Sequence, residues 1–455
     1  MKKLLTLLLA LTLVFALFAC GQTEEDPDDE PEDEVCENHV DEDKDDICDT
    51  CKEKIVVKTM TYEEFTSAAI DSKVAIESYV QAKQSWWDNK ATFYLQDEVG
   101  AYLAYEMPCT EEEYASLTVG TKIKVVGYKA EWSGEIEIAD AKFEILEAEP
   151  FVATPTDVTA LLGTDDLAKK QNMLVSFKDM TVKAIKYKND EPGDDIYVTL
   201  TKGGADYEFC VERYLTGPET DVYKAVQALA VGEVIDVEGF LYWYNGMNPH
   251  ITAIYGVMNY AEYDAAALDA YVIVEAYVQA TQDWWDNKIT VYLQDQDGGY
   301  FAYEMACSEE DAAKLVAGTK IKIKGYKAAW SGEVEIVDAT FEILEAEPFV
   351  ATPTDVTALL GTDDLIKKQN MLVSFKDMTV KAVEYKNNEP GDDIYVTLTK
   401  GEADYDFCVE LYLTGPHTDV YKAVQALAVG DVIDVEGFLY WYNGMNPHIT
   451  AITKK

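Results

Sequence analysis

Basic residues are scarce in this sequence. Its 455 residues contain 37 Lys and Arg against 85 Asp and Glu, which gives a formal net charge of −48 at pH 7. A field of this sign repels phosphate backbones and other anionic surfaces. Unassisted binding to nucleic acid is therefore disfavoured.

Long apolar segments are missing after the first 20 residues, so no later stretch is predicted to span a bilayer. Residues 1–20 begin with a Lys pair, continue with an apolar run and end in Leu-Phe-Ala-Cys. This order predicts an export signal. Its end resembles the lipobox of bacterial lipoproteins, which implies cleavage before Cys20, acylation of the Cys20 thiol and a lipid-anchored protein on the extracellular face of the bacterial membrane. An ordinary secretory signal with an incidental cysteine is the alternative.

A recurring catalytic set is also missing, since no nucleophile, base and orienting group repeat together. Glu135 and Glu137 form an acidic pair of the kind used in glycoside hydrolysis, but in so acidic a chain the pair is interpreted as a solvated face. His250 and its copy His448 follow a Pro at the start of a strand, and we expect them to be hydrogen-bonded edge residues rather than ligands. The protein is therefore not expected to be an enzyme.

Residues 21–35 are acidic and lack periodicity, which predicts a disordered tether. The next segment, 36–54, contains four potential zinc ligands in two pairs, each pair three residues apart: Cys36 with His39, and Cys48 with Cys51. Such spacing is typical of a small zinc site. Alternate carboxylates offer oxygen ligands for calcium instead: Asp41, Asp43 and Asp45.

We expect zinc rather than calcium in this segment, because the sulfur and nitrogen ligands form the more complete set. A disulfide between Cys36 and Cys48 or Cys51, and plain disorder, are the alternatives. The segment resembles the short Cys/His/Asp-rich stretches near the membrane-proximal end of many bacterial surface proteins.

The rest of the chain is repetitive. Leu117, Gly120, Gly127 and Gly134 have spacings of three, seven and seven, and the same spacing starts again at Leu229, Leu315 and Leu427. Residues from about 60 to 255 also recur without a gap at a constant offset of 198. The chain is therefore predicted to hold four related units arranged as two near-identical pairs.

Each unit has the pattern of three strands, a short helix and two strands. In the first unit the strands are predicted at 74–81, 92–96, 102–107, 122–128 and 135–138, with helices at 61–70 and 111–117. This is the order of the OB-fold. We therefore predict an all-β chain with short helices, built from four tandem OB-fold-like five-stranded Greek-key barrels at 60–148, 149–256, 257–346 and 347–455.

Three phrases carry a family resemblance: FYLQD, LxVGxxIxVxG and the Trp-Ser-Gly-Glu or Trp-Tyr-Asn-Gly hairpin. They resemble the OB-fold-like modules that occur in tandem in bacterial surface lipoproteins and beside the catalytic domains of secreted nucleases. The resemblance implies a modular surface protein but no particular ligand.

An OB barrel binds its ligand on the face of strands 2 and 3, between two loops. Aromatic side chains at these places in the first and third units are the predicted ligand-binding residues: Trp86, Trp87, Trp132, Tyr94 and Tyr105, with the copies Trp284, Trp285, Trp330, Tyr292 and Tyr303. One member of each adjacent Trp pair is expected to pack in the core. Four cysteines in successive barrels are expected to be buried thiols, too far apart for disulfides: Cys109, Cys210, Cys307 and Cys408.

The predicted function is a non-enzymatic binding module that recognises an extracellular polysaccharide or surface protein, with two equivalent sites that give avidity. A spacer of the cell surface without a specific ligand is one alternative. An accessory nucleic-acid-binding component of an extracellular nuclease system is the other.

Overall fold

A computed structural model of the protein describes residues 47–53 and 57–455. The chain divides into two compact units between Val57 and Lys58. The predictions for residues 1–46, among them lipidation of Cys20 and metal binding by Cys36, His39, Asp41, Asp43 and Asp45, lie outside the described residues. In the described part, no helix is both long and apolar enough to cross a membrane.

Residues 47–53 form a tight turn. The Cys48 amide donates to the Glu53 carbonyl at 2.8 Å, and the Lys52 amide donates to the Cys48 carbonyl at 2.8 Å. Cys48 is buried and Cys51 is half-buried. Across residues 47–53 and 57–455, no three His, Cys, Asp or Glu side chains are grouped to hold a metal. The predicted zinc site also needs Cys36 and His39, so it stays a prediction.

The first barrel follows the predicted order of elements. They are α1 (Tyr62–Ser67), β1 (Lys73–Lys83), β2 (Lys90–Gln96), β3 (Ala101–Pro108), α2 (Glu111–Ser116), β4 (Lys122–Trp132) and β5 (Glu135–Ile145). The strands close in the order β1-β2-β3-β5-β4, with β3 and β5 parallel. Both helices begin at a capping box, Thr61 with Glu64 and Thr110 with Glu113, which satisfies free amides of the first turn.

The second barrel has the same core order and an added edge strand. Its elements are β6 (Thr156–Asp157), β7 (Leu174–Tyr187), β8 (Ile196–Lys202), β9 (Ala205–Val211), α3 (Asp221–Ala228), β10 (Val234–Phe240) and β11 (His250–Tyr255). The sheet order is β10-β11-β9-β8-β7-β6, and pairing of β10 with β7 closes the barrel. Short 3₁₀ helices at Thr159–Leu161, Leu167–Lys170 and Lys188–Asp190 lie between strands.

The third and fourth barrels repeat the first two. The third contains α4 (Tyr260–Ala265), β12 (Tyr271–Thr281), β13 (Lys288–Gln294), β14 (Gly299–Ala306), α5 (Glu309–Ala312), β15 (Lys320–Trp330) and β16 (Glu333–Leu344). The fourth contains β17 (Thr354–Asp355), β18 (Leu372–Tyr385), β19 (Ile394–Lys400), β20 (Ala403–Val409), α6 (Asp419–Gln425), β21 (Val432–Phe438) and β22 (His448–Lys454), with 3₁₀ helices at Thr357–Leu359, Leu365–Lys368 and Lys386–Asn388. The predicted all-β fold of tandem OB-like barrels is confirmed.

Each barrel encloses its own apolar core. Strand β4 alternates between buried and less buried residues, as expected for a strand with one face inside the barrel. Strand β2 does not alternate: every residue after Lys90 is buried. Phe93 and Leu95 belong to the barrel core, whereas Tyr94 belongs to a separate cluster outside it. A second body must therefore cover the outer face of β2.

Candidate functional site: a cleft between paired barrels

The second barrel covers the outer face of β2 and β3. Tyr94 stacks on Phe240, with ring centroids 4.5 Å apart, and its hydroxyl is hydrogen-bonded to Nδ1 of His250 at 2.6 Å. Leu103 of β3 completes this cluster. We call barrels one and two the first pair, and barrels three and four, which repeat these contacts through Tyr292, Phe438 and His448, the second pair.

This packing corrects two site assignments. The sequence predicts that Tyr94 and Tyr292 contact a ligand, but both are fully buried, because the neighbouring barrel occupies the face on which an isolated OB barrel binds its ligand. His250 and His448 are hydrogen-bonded as expected, yet they are not edge residues. Strand β11 lies between β10 and β9, and burial lowers the pKa of each imidazole to about 3.

The acidic pair on β5 is not a solvated face either. Glu135 is completely buried and Glu137 nearly so. Glu135 Oε2 accepts hydrogen bonds from the Trp243 amide at 2.8 Å and from Gln171 Nε2 at 3.2 Å, so it joins the two barrels. Burial raises the pKa of Glu135 to about 8 and that of Glu137 to about 7.

The hairpin tips of the paired barrels touch each other. The ring centroids of Trp132, at the end of β4, and Tyr244, in the β10–β11 connection, are 5.2 Å apart. The Asn245 amide donates to the Ser133 carbonyl at 2.7 Å. A side chain on Gly134 would collide with Trp243, because an added Cβ would lie only 2.8 Å from Cδ1 of that indole. The repeated glycine therefore permits the contact that orients the two barrels.

An open cleft runs along this junction in the second pair. Its volume is about 770 Å³, and both barrels line it. The aromatic lining residues are Trp285, Phe301, Tyr303 and Trp330 from the third barrel and Tyr395, Tyr412, Tyr440 and Tyr442 from the fourth. Polar side chains stand among them: Gln282, Asp283, Thr290, Glu304, Lys386, Asp393, Glu410, Asn446 and His448. We call this the second cleft, and we call the equivalent positions of the first pair, 198 residues earlier in the sequence, the first cleft.

Several of the predicted aromatic residues meet in the clefts. Trp285 is 56% exposed and Trp330 is 55% exposed, and both line the second cleft together with Tyr303. Their copies Trp87, Trp132 and Tyr105 are similarly exposed. Large aromatic rings that remain half in water are stacking surfaces for a flat ligand face.

The other members of the tryptophan pairs pack against the barrel cores. Trp86 packs against the first barrel core, and its indole N–H donates to the Cys109 carbonyl at 2.9 Å. Trp284 makes the same contacts in the third barrel. Both support the barrel structure, and Trp284 is not among the residues that line the second cleft. One core-packed and one exposed Trp per pair agrees with the expectation.

Carboxylates dominate the charge of the second cleft. Four of them, Asp283, Glu304, Asp393 and Glu410, stand against one cation, Lys386. Lys386 is paired with Asp393 at 2.8 Å, and Glu304 is paired with Lys288 at 2.7 Å. Burial raises the pKa of Glu410 to about 7, so near neutral pH part of the population carries a proton and can donate a hydrogen bond as well as accept one.

The four barrel cysteines are buried free thiols, as expected. Burial is the main cause that raises the pKa of each thiol: Cys109, Cys210, Cys307 and Cys408. A buried thiol with a raised pKa is a poor nucleophile.

The predicted site lay on the first and third barrels and lacked the half contributed by their partner barrels. The missed residues in the fourth barrel are Lys386, Asp393, Tyr395, Glu410, Tyr412, Tyr440 and Tyr442. One indication in the sequence was the uninterrupted apolar run Phe-Tyr-Leu in β2, which is typical of a strand buried on both faces.

The chain matches no family model, and no curated protein matches it. Among solved structures it is similar to the p204 HINb domain, at 9% identity over 37% of this chain and 96% of that chain, with a TM-score of 0.19. It is also similar to a murine DNA binding protein bound with ds DNA, at 10% identity over 38% and 99% of the chains and a TM-score of 0.19. A replication protein A heterotrimer bound to ssDNA matches at 10% identity over 62% and 95%, with a TM-score of 0.21. Likeness at these scores supports no functional conclusion.

Proposed function

We propose that the protein is a non-enzymatic glycan-binding protein, and that the cleft between the barrels of each pair binds extracellular polysaccharide. One observation carries the proposal: half-exposed indole and phenol rings from both barrels surround a groove whose remaining lining is hydrogen-bonding side chains. Sugar rings present apolar faces that stack on aromatic rings and hydroxyl edges that need donors and acceptors.

The polar lining favours hydroxyl-rich ligands over phosphates. Asp283, Glu304 and Asp393 bring negative charge to the second cleft, and a phosphate backbone would be repelled there. Glu410 and Asn446 offer both donors and acceptors, which suit sugar hydroxyls. Two such clefts in one chain would raise the affinity for a polymer through avidity.

The deciding experiment is a glycan array probed with the full mature chain and with a Trp132→Ala/Trp330→Ala variant. We expect wild-type binding to one or more polysaccharides and a loss of at least tenfold in the variant, since about 1.4 kcal/mol of lost stacking corresponds to a factor of ten. Leu268→Ala is the control, because Leu268 is equally exposed but does not line the cleft.

Other outcomes would overturn the proposal. If the wild type binds no glycan, the result would favour the alternative that the protein is a surface spacer without a specific ligand. If it binds single-stranded DNA or RNA instead, and the two Trp substitutions abolish that binding, the clefts are nucleic-acid sites.

We also propose that the protein is exported and anchored by lipid at Cys20, which would place the clefts outside the cell. In cells that express the full chain, a Cys20→Ser variant should lose incorporation of labelled fatty acid and should not be retained on the membrane. Equal labelling of the variant would disprove the anchor. The zinc prediction for Cys36, His39, Cys48 and Cys51 would be tested by metal analysis of the same purified chain.

A further inference from the structure

The two clefts are copies, but they do not carry the same charge. Eighteen residues line the second cleft, and at seventeen of them the residue 198 positions earlier is either identical or differs without a change of charge. The exception is Asp283, whose copy is Ser85. The first cleft therefore contains one carboxylate fewer.

Ser85 and Asp283 occupy equivalent places at the barrel junction. The Ser85 amide and hydroxyl both donate to the Tyr214 carbonyl, at 2.7 and 3.1 Å. The Asp283 amide donates to the Tyr412 carbonyl at 3.0 Å. The backbone contact is thus preserved, and the exchange changes the charge on the lining without moving the loop.

A second difference lies beside Tyr214. The sole arginine of the sequence, Arg213, precedes this tyrosine, whereas Leu411 precedes its copy Tyr412. The guanidinium carbon of Arg213 lies 5.1 Å from the centre of the Tyr214 ring, and the side chain remains 42% exposed. Its contact with Asp194, 3.5 Å between Nη1 and Oδ1, leaves the other guanidinium N–H groups available.

The two clefts also differ in one apolar residue at the floor. Phe301 packs 5.5 Å from Tyr440 and 5.0 Å from Tyr292, measured between ring centroids. Its copy in the first cleft is Leu103. The second cleft therefore has a buried aromatic residue at its floor and one more carboxylate. The first has a leucine at that place and a guanidinium beside Tyr214, whose copy Tyr412 lines the second cleft.

We infer that the two clefts bind different glycans: the first accepts sugars that carry a carboxylate, as in uronic acids, and the second accepts only uncharged sugars. The inference rests on the proposed function. Arg213 supplies a planar set of donors that pairs with a carboxylate, optionally through two parallel hydrogen bonds. Beside Tyr412 of the second cleft, Leu411 offers no such donor, and Asp283 repels the anion.

The test isolates each cleft in the full mature chain. Trp285→Ala/Trp330→Ala leaves only the first cleft, and Trp87→Ala/Trp132→Ala leaves only the second. Both variants are titrated calorimetrically with neutral hexaoses of glucose, galactose and mannose and with the matching hexauronates. We expect hexauronate to bind the first-cleft variant but not the second-cleft variant, and its binding to the first-cleft variant to weaken in high salt.

Exchange variants supply the matched controls. Arg213→Leu in the first-cleft variant should abolish hexauronate binding but keep neutral binding. Asp283→Ser with Leu411→Arg in the second-cleft variant should create hexauronate binding. Equal hexauronate affinity of the two clefts, or no effect of Arg213→Leu, would overturn the inference. Binding of the neutral hexaoses in the same experiment would still support the proposed function. No binding of any sugar by either variant would refute the proposed function itself.

Discussion

The hydroxyl of Tyr94 and the imidazole of His250 are hydrogen-bonded at 2.6 Å although 156 residues separate them. Both side chains are buried between two barrels. Tyr292 and His448 repeat the contact at the same distance. Because burial lowers the pKa of both imidazoles to about 3, the rings are neutral at physiological pH. The contact is thus a neutral hydrogen bond that fixes the geometry of each cleft.

Replacing Tyr94 by Phe should weaken the first pair. The substitution leaves Nδ1 of His250 buried without this hydrogen bond, and an unsatisfied buried polar group costs about 1–3 kcal/mol. Urea unfolding would measure the loss in the free energy of unfolding. Tyr105→Phe is the control, because the Tyr105 phenol is exposed and its change should stay within about 0.5 kcal/mol. Equal effects of the two variants would contradict a structural role for the contact.

Stability should fall as the pH rises from 6.5 to 8. Burial raises the pKa of Glu135 and Glu333 from 4.5 to about 8, so the folded state holds protons that the unfolded chain has released. Glu135 Oε1 is also buried without a hydrogen-bond partner, which disfavours a charge on this oxygen. Each such carboxyl lowers the free energy of unfolding by up to about 1.4 kcal/mol per pH unit.

Between pH 6.5 and 8 the change in stability reports on the buried carboxyls and not on the histidines. The histidines have a lowered pKa in the folded state, so they reduce stability only as the pH falls below 6.5. Glu137 acts in the same direction as Glu135, with a pKa of about 7. Urea unfolding at pH 6.5 and 8.0 would show a smaller decrease in a Glu135→Gln/Glu333→Gln variant than in the wild type. An unchanged decrease would mean that these two groups are ionised in the fold.

Adjacent tryptophans should respond differently to truncation. Trp86→Ala removes core packing and the hydrogen bond to Cys109, and we expect a loss of roughly 3 kcal/mol. Trp87→Ala removes a half-exposed ring that contacts the Lys90 ammonium, 4.2 Å from the ring centre, and should cost less than about 1 kcal/mol. Thermal unfolding compares the two variants directly. A larger loss for Trp87→Ala would show that its ring is structural.

Lys324 should hold the second and third barrels together. Its ammonium contacts Asp179 Oδ1 and Asp236 Oδ1, each at 2.9 Å, and Asp236 is almost fully buried. Lys324→Val introduces the residue found at the copied position, Val126. Removing one partner of a buried ion pair typically costs about 3–5 kcal/mol, and we expect a loss at or below the lower end of this range because Lys178 remains 3.4 Å from Asp236.

The junction variant can be followed by calorimetry and limited proteolysis. We expect a lower unfolding temperature for Lys324→Val and faster cleavage in the connection at 256–259. Lys320→Ala is the control, since the pair of Lys320 with Glu275 is much more exposed and is expected to contribute below about 1 kcal/mol. Equal unfolding temperatures and equal cleavage rates of the two variants would argue against a role of Lys324 in holding the second and third barrels together.

The sequence by itself determined the barrels. The repeated glycine spacing, the offset of 198 residues and the alternation along β4 were enough to predict four OB-like units and the order of their strands. These features are local, because strand periodicity and turn residues depend on neighbours along the chain. One core-packed and one exposed tryptophan per adjacent pair was also predicted, although not which member, Trp86 or Trp87, would be which.

Only the tertiary structure decided where the clefts lie. Strand alternation places Tyr94 on the opposite face of β2 from Phe93 and Leu95, but it says neither which face is the outer one nor whether that face meets water or another barrel. Packing of the second barrel buried Tyr94 and His250, raised the pKa of Glu135, and brought Trp132 beside Tyr244. Contacts between separately folded surfaces leave little trace in local sequence patterns, so the half of each cleft that the partner barrel supplies emerged only from the assembled pair.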